Sequence, residues 1–141
     1  MTACSHLITG EAPMYHSEEH ALYWLDINGK QLWRFAPESG ESKHWDLPEV
    51  AGSFAFAQGG GFLMGFMSGL SWFNPETGAV QKIVDFEDGL NTRANDGKCD
   101  VDGNWVIGGY NNNHRNDKLN ITGLWRLNAK DMSFEEILDY R

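Results

Sequence analysis

Short apolar segments alternate with turn residues along the whole chain. The clearest segments are rich in aromatic and branched side chains and have the length of a strand: Leu22–Ile27, Gln31–Phe35, Phe62–Phe66 and Asn104–Gly108. Turn dipeptides accompany them at Asn28-Gly29, Ser39-Gly40, Thr77-Gly78 and Asp102-Gly103. A helical period of apolar residues occurs only weakly, near Phe134–Leu138. The pattern therefore predicts an all-β chain.

One segment of the chain is repeated. Leu32–Gly40 reappears as Leu70–Gly78, with Phe, Pro, Glu and Gly recurring at an offset of 38 residues. A looser third copy, Leu124–Asn128, lies 54 residues after the second. The polar stretch Tyr110–Thr122 accounts for the longer offset, and we expect it to be a long excursion. A repeat of about 40 residues with about four strands has the size of a β-propeller blade.

The repeat predicts three blades, with antiparallel strands within Leu22–Phe35, Phe62–Phe73 and Asn104–Leu127. A closed propeller typically has about four to eight blades. We therefore expect residues 1–141 to form a single partial domain, either half of a propeller or a chain that closes by association. The open edges of a half-ring favour self-association with another copy, because their backbone groups are unpaired.

Composition narrows the classes of function. The 141 residues carry a formal net charge of −9, and no cluster of Lys and Arg is present, so we expect no nucleic-acid partner. No segment is long and apolar enough for a membrane span, and the N-terminus lacks the pattern of a signal peptide. Cys4 and Cys99 lack metal-ligand spacing and are expected to be reduced thiols. These features predict a cytoplasmic protein with no membrane partner.

Two polar segments differ from the rest of the repeat. Glu11 stands in Gly10–Pro13, just before the first strand pair, and Thr92–Asp100 is dense in polar groups between apolar strands. From the residues alone, Glu11 can also be a solvated loop acid. The tripeptide Asn95–Gly97 can likewise be a simple hairpin turn.

The histidines and the repeated tryptophans indicate structure rather than chemistry. The histidines form no zinc-binding motif, and we expect surface or loop positions for His6, His16, His20, His44 and His114. Trp33, Trp72 and Trp125 occupy the same or adjacent positions of the repeat. Because a repeated position indicates repeated packing, we expect these tryptophans in the blade cores rather than on a carbohydrate-binding surface.

Several segments together resemble the gluconolactonase/regucalcin (senescence marker protein) family, in its N-terminal half. These segments are Gly10–Pro13, Leu22–Ile27, Leu32–Phe35 and Arg93–Gly103. They occur in the family's order and spacing, and the R-x-N-D-G-K motif that begins at Arg93 is the most specific of them. The resemblance implies a six-bladed β-propeller with a divalent metal at one end of its channel. It also implies hydrolysis of sugar lactones, such as gluconolactone, to the open-chain acid.

The resemblance further implies roles for three residues. Glu11 matches the family's first metal-ligand carboxylate, and Arg93 and Asn95 match residues that bind the substrate near the metal. We therefore expect Glu11, Arg93 and Asn95 to converge at one end of the channel. Two more family ligands, an Asn and an Asp that serves as general base, are expected beyond Arg141, so no catalytic residue is assigned in this chain.

A further substrate contact of the family, often a Glu, falls in the loop near Asn112 and Asn113. Because the residue type differs here, we do not assign that role to either asparagine.

The residue types at these positions suit the implied chemistry. The implied cofactor is a divalent cation, namely calcium, zinc, manganese or magnesium, and hard cations prefer oxygen ligands such as those of Glu and Asn. The guanidinium of Arg93 offers up to about five donors to a polyhydroxylated ring. No serine nucleophile is required, and the G-x-S-x-G motif is absent from the sequence.

Two functions from different classes remain open. The first is metal-dependent hydrolysis of a sugar lactone to the aldonic acid, with this chain an incomplete part of the active enzyme. The alternative is a non-catalytic propeller segment that binds calcium or a sugar, because propellers serve both classes. The combination of Glu11 with Arg93 and Asn95 favours the lactonase. We expect residues 1–141 alone to show little lactonase activity, since Glu11 is the only charged ligand that the resemblance assigns to them.

Overall fold

Twelve strands make up the regular structure in a computed structural model that describes residues 7–113 and 120–139. The first four are β1 (Gly10–His16), β2 (Ala21–Asp26), β3 (Gln31–Ala36) and β4 (Glu41–Asp46). The next four are β5 (Ala51–Phe56), β6 (Phe62–Phe66), β7 (Gly69–Phe73) and β8 (Val80–Val84). The last four are β9 (Thr92–Cys99), β10 (Trp105–Asn111), β11 (Leu124–Leu127) and β12 (Phe134–Leu138). Within the two described ranges, no helix is long and apolar enough to cross a membrane.

The strands form three four-stranded sheets, each paired in chain order. Neighbouring strands run antiparallel, as in a propeller blade. The predictions of an all-β chain and of strands within the three repeat regions are confirmed. The weak helical period near Phe134–Leu138 proves to belong to a strand, because this segment pairs with β11 and Phe134 stacks on Trp125 with ring centroids 4.9 Å apart.

The chain divides into two compact units. The first unit, Met1–Ala51, contains the first sheet, and the second unit, Gly52–Arg141, contains the second and third sheets. In the second unit these two sheets share a core of buried side chains, which are Ala55, Leu63, Leu70, Phe86, Ala94, Trp105, Ile107 and Leu127.

The repeated tryptophans pack within the sheets, as expected. Trp72 and Trp125 lie against the core of the second unit. Trp33 of the first unit stacks on Trp24 with ring centroids 5.9 Å apart and an interplanar angle of 12°. All three are half-buried, so their large apolar faces contribute to packing.

The three copies of the repeat coincide with the third strands of their sheets, β3, β7 and β11, and with the turn after each. In each turn a backbone N–H donates to the carbonyl four residues earlier: Gly40 to Ala36, Gly78 to Asn74 and Met132 to Asn128. The donor residue has a positive φ, which is 72° at Gly40, 72° at Gly78 and 59° at Met132. Glycine adopts this conformation without steric cost, which explains its recurrence. The third copy keeps the turn with Met132, whose side chain packs against the core.

The predicted excursion Tyr110–Thr122 begins later than expected, because β10 continues to Asn111. Residues 114–119, which include His114, lie outside the described residues, so the excursion stays a prediction there. Cys4 and His6 also lie outside them.

Asp26, at the end of β2, is a buried carboxylate that connects two parts of the first unit. The residue is 2% exposed. Its Oδ2 accepts a hydrogen bond from the N–H of Ile8 at 3.0 Å, and Oδ1 accepts from the N–H groups of Thr9 at 2.9 Å and Gly29 at 3.0 Å. Burial raises the pKa of Asp26, but the three backbone hydrogen bonds outweigh it, so the pKa lies below its ordinary value. The carboxylate therefore joins the segment before β1 to the β2–β3 turn.

We expect Asp26→Asn to lower the free energy of unfolding at pH 7 by about 1–3 kcal/mol, because the amide cannot accept hydrogen bonds at both of its positions. The pKa of Asp26 is lower in the folded than in the unfolded state. Its stabilisation is therefore present above the unfolded value of about 3.9 and is lost as the pH falls through the lower folded value. Urea unfolding at pH 7 and below pH 3 measures the difference between the two proteins, which should shrink in acid.

The matched control for this prediction is Asp46→Asn, on β4 of the same sheet, where the side chain is 85% exposed. That variant should change the free energy of unfolding by less than about 0.5 kcal/mol. A loss at Asp26 that does not depend on pH would contradict the role of its ionised form.

Gly52 lies where β5 of the second sheet approaches β9 of the third. A Cβ atom at this position would lie 2.5 Å from the carbonyl oxygen of Ala94 and 2.8 Å from the Cα of Asn95. At Gly65 on β6, a Cβ atom would lie 3.3 Å from the Cβ of Ala94. The absence of a side chain at Gly52 therefore lets the β9 backbone pack directly on the second sheet, and its absence at Gly65 leaves room for the side chains of Ala94 and Ile107.

We expect Gly52→Ala to lower the free energy of unfolding by about 1–3 kcal/mol, because the new methyl group overlaps the backbone of β9 and one strand must move. Urea unfolding measures the loss, and the amide NMR signals of Ala94 and Asn95 should shift. The control is Gly108→Ala on β10, where the nearest atom to an added Cβ, the carbonyl oxygen of Asp96, is 3.9 Å away. Equal stability of the two variants would show that β9 does not depend on this close approach.

Candidate functional site

Strand β9 places two of the predicted site residues on one face of the third sheet. Thr92 and Ala94 are buried, whereas Arg93 and Asn95 are half-buried. Because successive side chains of a strand point to opposite faces, Thr92 and Ala94 face the core while Arg93 and Asn95 point away from it. The sequence-predicted substrate-binding residues therefore lie side by side.

The guanidinium of Arg93 is held by three neighbours. Its Nη1 donates to the carbonyl oxygen of Ala94 and to the Oδ1 of Asn95, each at 3.1 Å. Its Cζ lies 4.4 Å from the ring centroid of Tyr110, the residue that pairs with Arg93 on β10. The pKa of Arg93 lies below its ordinary value, because burial lowers it by more than the interaction with Tyr110 raises it. The group stays cationic at neutral pH because the ordinary pKa of arginine is so high, so this face presents an oriented cation beside an amide.

The segment Asn95–Gly97 is not a hairpin turn, and that interpretation of the sequence is wrong. Strand β9 continues through it, and the turn comes later, before β10. Between the pairs Gly97–Ile107 and Ala94–Gly109, two residues of β9 stand opposite one residue of β10. This irregularity is a β-bulge, which changes the direction of side chains locally and often occurs near functional sites.

The loop between β8 and β9 contacts the residues that follow β10. The carbonyl of Asn91 accepts a hydrogen bond from the N–H of Asn112 at 2.9 Å. The Nδ2 of Asn91 donates to the Oδ1 of Asn113 at 2.6 Å. Asn112 and Asn113 are thus fixed just beyond Tyr110, the residue that pairs with Arg93.

Glu87, in the same loop, is a buried carboxylate that sequence reasoning did not identify. It is 6% exposed and has a positive φ of 45°. Its Oε1 accepts hydrogen bonds from the Oγ1 of Thr122 at 2.8 Å, the N–H of Gly123 at 2.8 Å and the Nε1 of Trp125 at 2.9 Å. The only local signal was the turn dipeptide Asp88-Gly89, which does not distinguish a buried acid from a solvated one.

Glu11 lies on β1 in the first unit, at a shift in the register with β2 between Glu11 and Met14. The next residue, Ala12, has a positive φ of 53°. The Glu11 side chain is exposed, and no hydrogen bond or ion pair to another described residue holds it. Its carboxylate is therefore available to a ligand. Because Arg93 and Asn95 belong to the second unit, the convergence of the three residues stays a prediction.

Within residues 7–113 and 120–139, no three His, Cys, Asp or Glu side chains are grouped so that they could hold a metal ion. His16 accepts a hydrogen bond from the N–H of Glu19 at 3.3 Å, and His44 packs on Trp33 with ring centroids 4.6 Å apart. Cys99 is an exposed free thiol. The chemistry of Glu11 fits a hard cation, but this carboxylate needs other oxygen ligands beside it.

Known proteins resemble this chain in sequence. A family model described as the SMP-30/gluconolactonase/LRE-like region matches residues 9–140. The L-arabinolactonase of Azospirillum brasilense is 35% identical over 129 residues, which are 91% of this chain and 42% of that protein. The 6-deoxy-6-sulfogluconolactonase of Pseudomonas putida is 30% identical over 102 residues, which are 72% of this chain and 35% of that protein.

A solved structure has the same fold. It is a luciferin-regenerating enzyme that superimposes with a TM-score of 0.86 at 20% sequence identity, over 97% of this chain and 47% of that one. The three sheets are therefore blades of a propeller of this type, and the chain spans less than half the length of each of these three proteins. The match over residues 9–140 confirms the resemblance found in the sequence, and the chain belongs to the SMP-30/gluconolactonase/LRE-like family.

Proposed function

We propose that this chain takes part in the hydrolysis of a sugar lactone to the corresponding aldonic acid. The observation that carries the proposal is the arrangement of Arg93 and Asn95, which are joined by a hydrogen bond of 3.1 Å on one face of β9. Lactonases among the relatives, named for L-arabinolactone and for 6-deoxy-6-sulfogluconolactone, support a sugar lactone as the class of substrate.

Arg93 and Asn95 would bind and orient the lactone. Both described hydrogen bonds of the guanidinium use Nη1, which leaves the N–H groups of Nε and Nη2 for ring oxygens and hydroxyls of the sugar. The Asn95 amide can donate through Nδ2 while its Oδ1 accepts from Arg93. Donors fixed in this way stabilise negative charge that develops on the lactone carbonyl oxygen as water attacks.

Glu11 would be one oxygen ligand of a divalent cation, for which calcium, zinc, manganese and magnesium are the candidates. Its exposed carboxylate and its place at the register shift in β1 support this assignment. When bound, such a cation supplies Lewis-acid polarisation of the lactone carbonyl. One carboxylate binds a divalent ion weakly, because affinity rises with the number and charge of the ligands. We therefore propose that activity requires ligands and a general base in addition to the residues of this chain.

A hybrid enzyme tests the proposed function. In it, this chain replaces the matched portion of the A. brasilense L-arabinolactonase. We expect the hybrid to hydrolyse L-arabinono-1,4-lactone and residues 1–141 alone to show little turnover with excess calcium, zinc, manganese or magnesium. In the hybrid, Arg93→Ala and Asn95→Ala should each lower kcat/KM by about 100-fold, which corresponds to about 2.7 kcal/mol of transition-state stabilisation.

The control in the hybrid is Asp102→Asn, an exposed turn residue, which should leave kcat/KM within about twofold. A folded hybrid that binds calcium or the lactone without hydrolysing it would support the non-catalytic alternative. Turnover by residues 1–141 alone at the rate of the complete relative would show that the chain needs no further ligands.

The role of Glu11 has a separate test in the 141-residue chain. The proposed convergence of the three residues on one site requires Mn²⁺ to broaden the amide NMR signals of Arg93 and Asn95 as well as those next to Glu11. Glu11→Gln should abolish the broadening at all of them and change the free energy of unfolding by less than about 0.5 kcal/mol. The control is Glu38→Gln, an exposed residue in the β3–β4 turn. Broadening confined to the surroundings of Glu11 would refute convergence, and an equal loss of stability would indicate a structural role.

A further inference from the structure

The Glu87 carboxylate accepts hydrogen bonds from three donors that belong to one short segment of the chain. Thr122 and Gly123 lie just before β11, and Trp125 lies within it. All three donate to the same oxygen, Oε1, at distances between 2.8 and 2.9 Å. The preceding residue, Phe86, packs beside the same tryptophan, with ring centroids 6.1 Å apart. The β8–β9 loop therefore holds the point where the chain returns from the segment after β10.

The same loop also holds the point where that segment departs. Asn91 accepts a hydrogen bond from the N–H of Asn112 at 2.9 Å and donates one to Asn113 at 2.6 Å. Asn91 directly precedes Thr92, the first residue of β9, and Arg93 follows. The β8–β9 loop is thus hydrogen-bonded to both sides of the segment, at Asn112–Asn113 and at Thr122–Gly123. The same loop continues directly into β9, which carries Arg93.

The backbone conformation of Glu87 is unfavourable by itself and is maintained by the surrounding residues. A positive φ of 45° is unfavourable for a residue with a side chain. Gly109, on β10, lies beside the Glu87 side chain. An added Cβ at Gly109 would lie 3.1 Å from the Oε2 of Glu87 and would meet the side chain of Thr122. Backbone strain and the missing side chain together make room for one carboxylate.

We propose that Glu87 is a positioning residue for sugar-lactone binding. It fixes the returning segment at Thr122 directly, and by anchoring the loop that carries Asn91 it fixes Asn112, the hydrogen-bond partner of Asn91, relative to Arg93. This inference rests on the proposed lactone-binding role of Arg93 and Asn95. Glu87 is buried within the second unit, so it acts through the residues that it holds rather than by touching the substrate. Its loss should weaken the affinity for the lactone in molecules that remain folded.

The test uses the 141-residue chain and compares Glu87→Ala, Glu87→Gln and the control Asp88→Asn, an exposed neighbour in the same turn. Amide hydrogen exchange is followed at Gly123, Asn112 and Ile107, which report the returning segment, the departing segment and the core. A titration with L-arabinono-1,4-lactone, followed on the Arg93 side-chain NMR signal, gives the Kd. These readouts separate positioning from stability, because a smaller folded fraction lowers the signal amplitude but leaves the Kd of the folded molecules unchanged.

We expect Glu87→Ala to accelerate exchange at Gly123 and Asn112 at least tenfold, with Ile107 within twofold, and to raise the Kd at least fivefold. Glu87→Gln should keep the Kd within twofold of that of the unmodified chain, because its amide oxygen can still accept hydrogen bonds at the Oε1 position. Asp88→Asn should change neither readout. If Glu87→Ala does not fold, Thr122→Val, which removes one donor and keeps the shape, should give the same changes to a smaller degree.

A lower signal amplitude with an unchanged Kd, or faster exchange at Ile107 equal to that at Gly123, would overturn the inference and leave Glu87 a purely stabilising residue. Absence of lactone binding by the unmodified chain would count against the proposed function of this chain instead. In that case the exchange data still decide the positioning: unchanged exchange at Asn112 in Glu87→Ala refutes it, and acceleration confined to Asn112 and Gly123 supports it.

Discussion

Direct packing of the β9 backbone on the second sheet is the contact on which the rest of the second unit depends. Gly52 leaves no side chain between the two layers at this point, and Gly65 leaves room for the side chain of Ala94, which is fully buried. Because Ala94 faces the core, the alternation of a strand directs Arg93 and Asn95 to the opposite face. One close approach of backbone to backbone therefore sets both the packing of the sheets and the direction of the polar pair.

Local features of the chain were sufficient to predict the all-β class, the strands within the three repeat regions, the number of sheets and the repeat. Alternating apolar residues and turn glycines act through neighbours in sequence, so they can be interpreted without the fold. Glu87 and Asp26 escaped notice because a carboxylate next to a turn looks the same whether water or backbone N–H groups surround it. The sequence left a hairpin turn open at Asn95–Gly97, because a bulge is a property of two paired strands and only one of them carries the tripeptide.

The proposed site residues Arg93 and Asn95 were identified by resemblance, whereas the groups that support them became visible only in the structure. Tyr110 is half-exposed and Asn91 is an ordinary loop polar residue, and neither belongs to a recognisable motif. Their contribution depends on contacts across strands and loops that are close in space. The positive φ of Glu87 was likewise not visible in the sequence, because the three hydrogen bonds to its side chain come from residues about 35–38 positions further along the chain.

The stacking of Arg93 on Tyr110 has a consequence for the entropy of ligand binding. A free arginine side chain samples many rotamers, and fixing such a chain at an interface costs about 0.5–1.5 kcal/mol. In this protein the ring at 4.4 Å and the two hydrogen bonds from Nη1 have already selected one arrangement before any ligand arrives. The entropy is therefore lost when the chain folds, and a ligand that binds the guanidinium retains more of the free energy of each hydrogen bond that it forms.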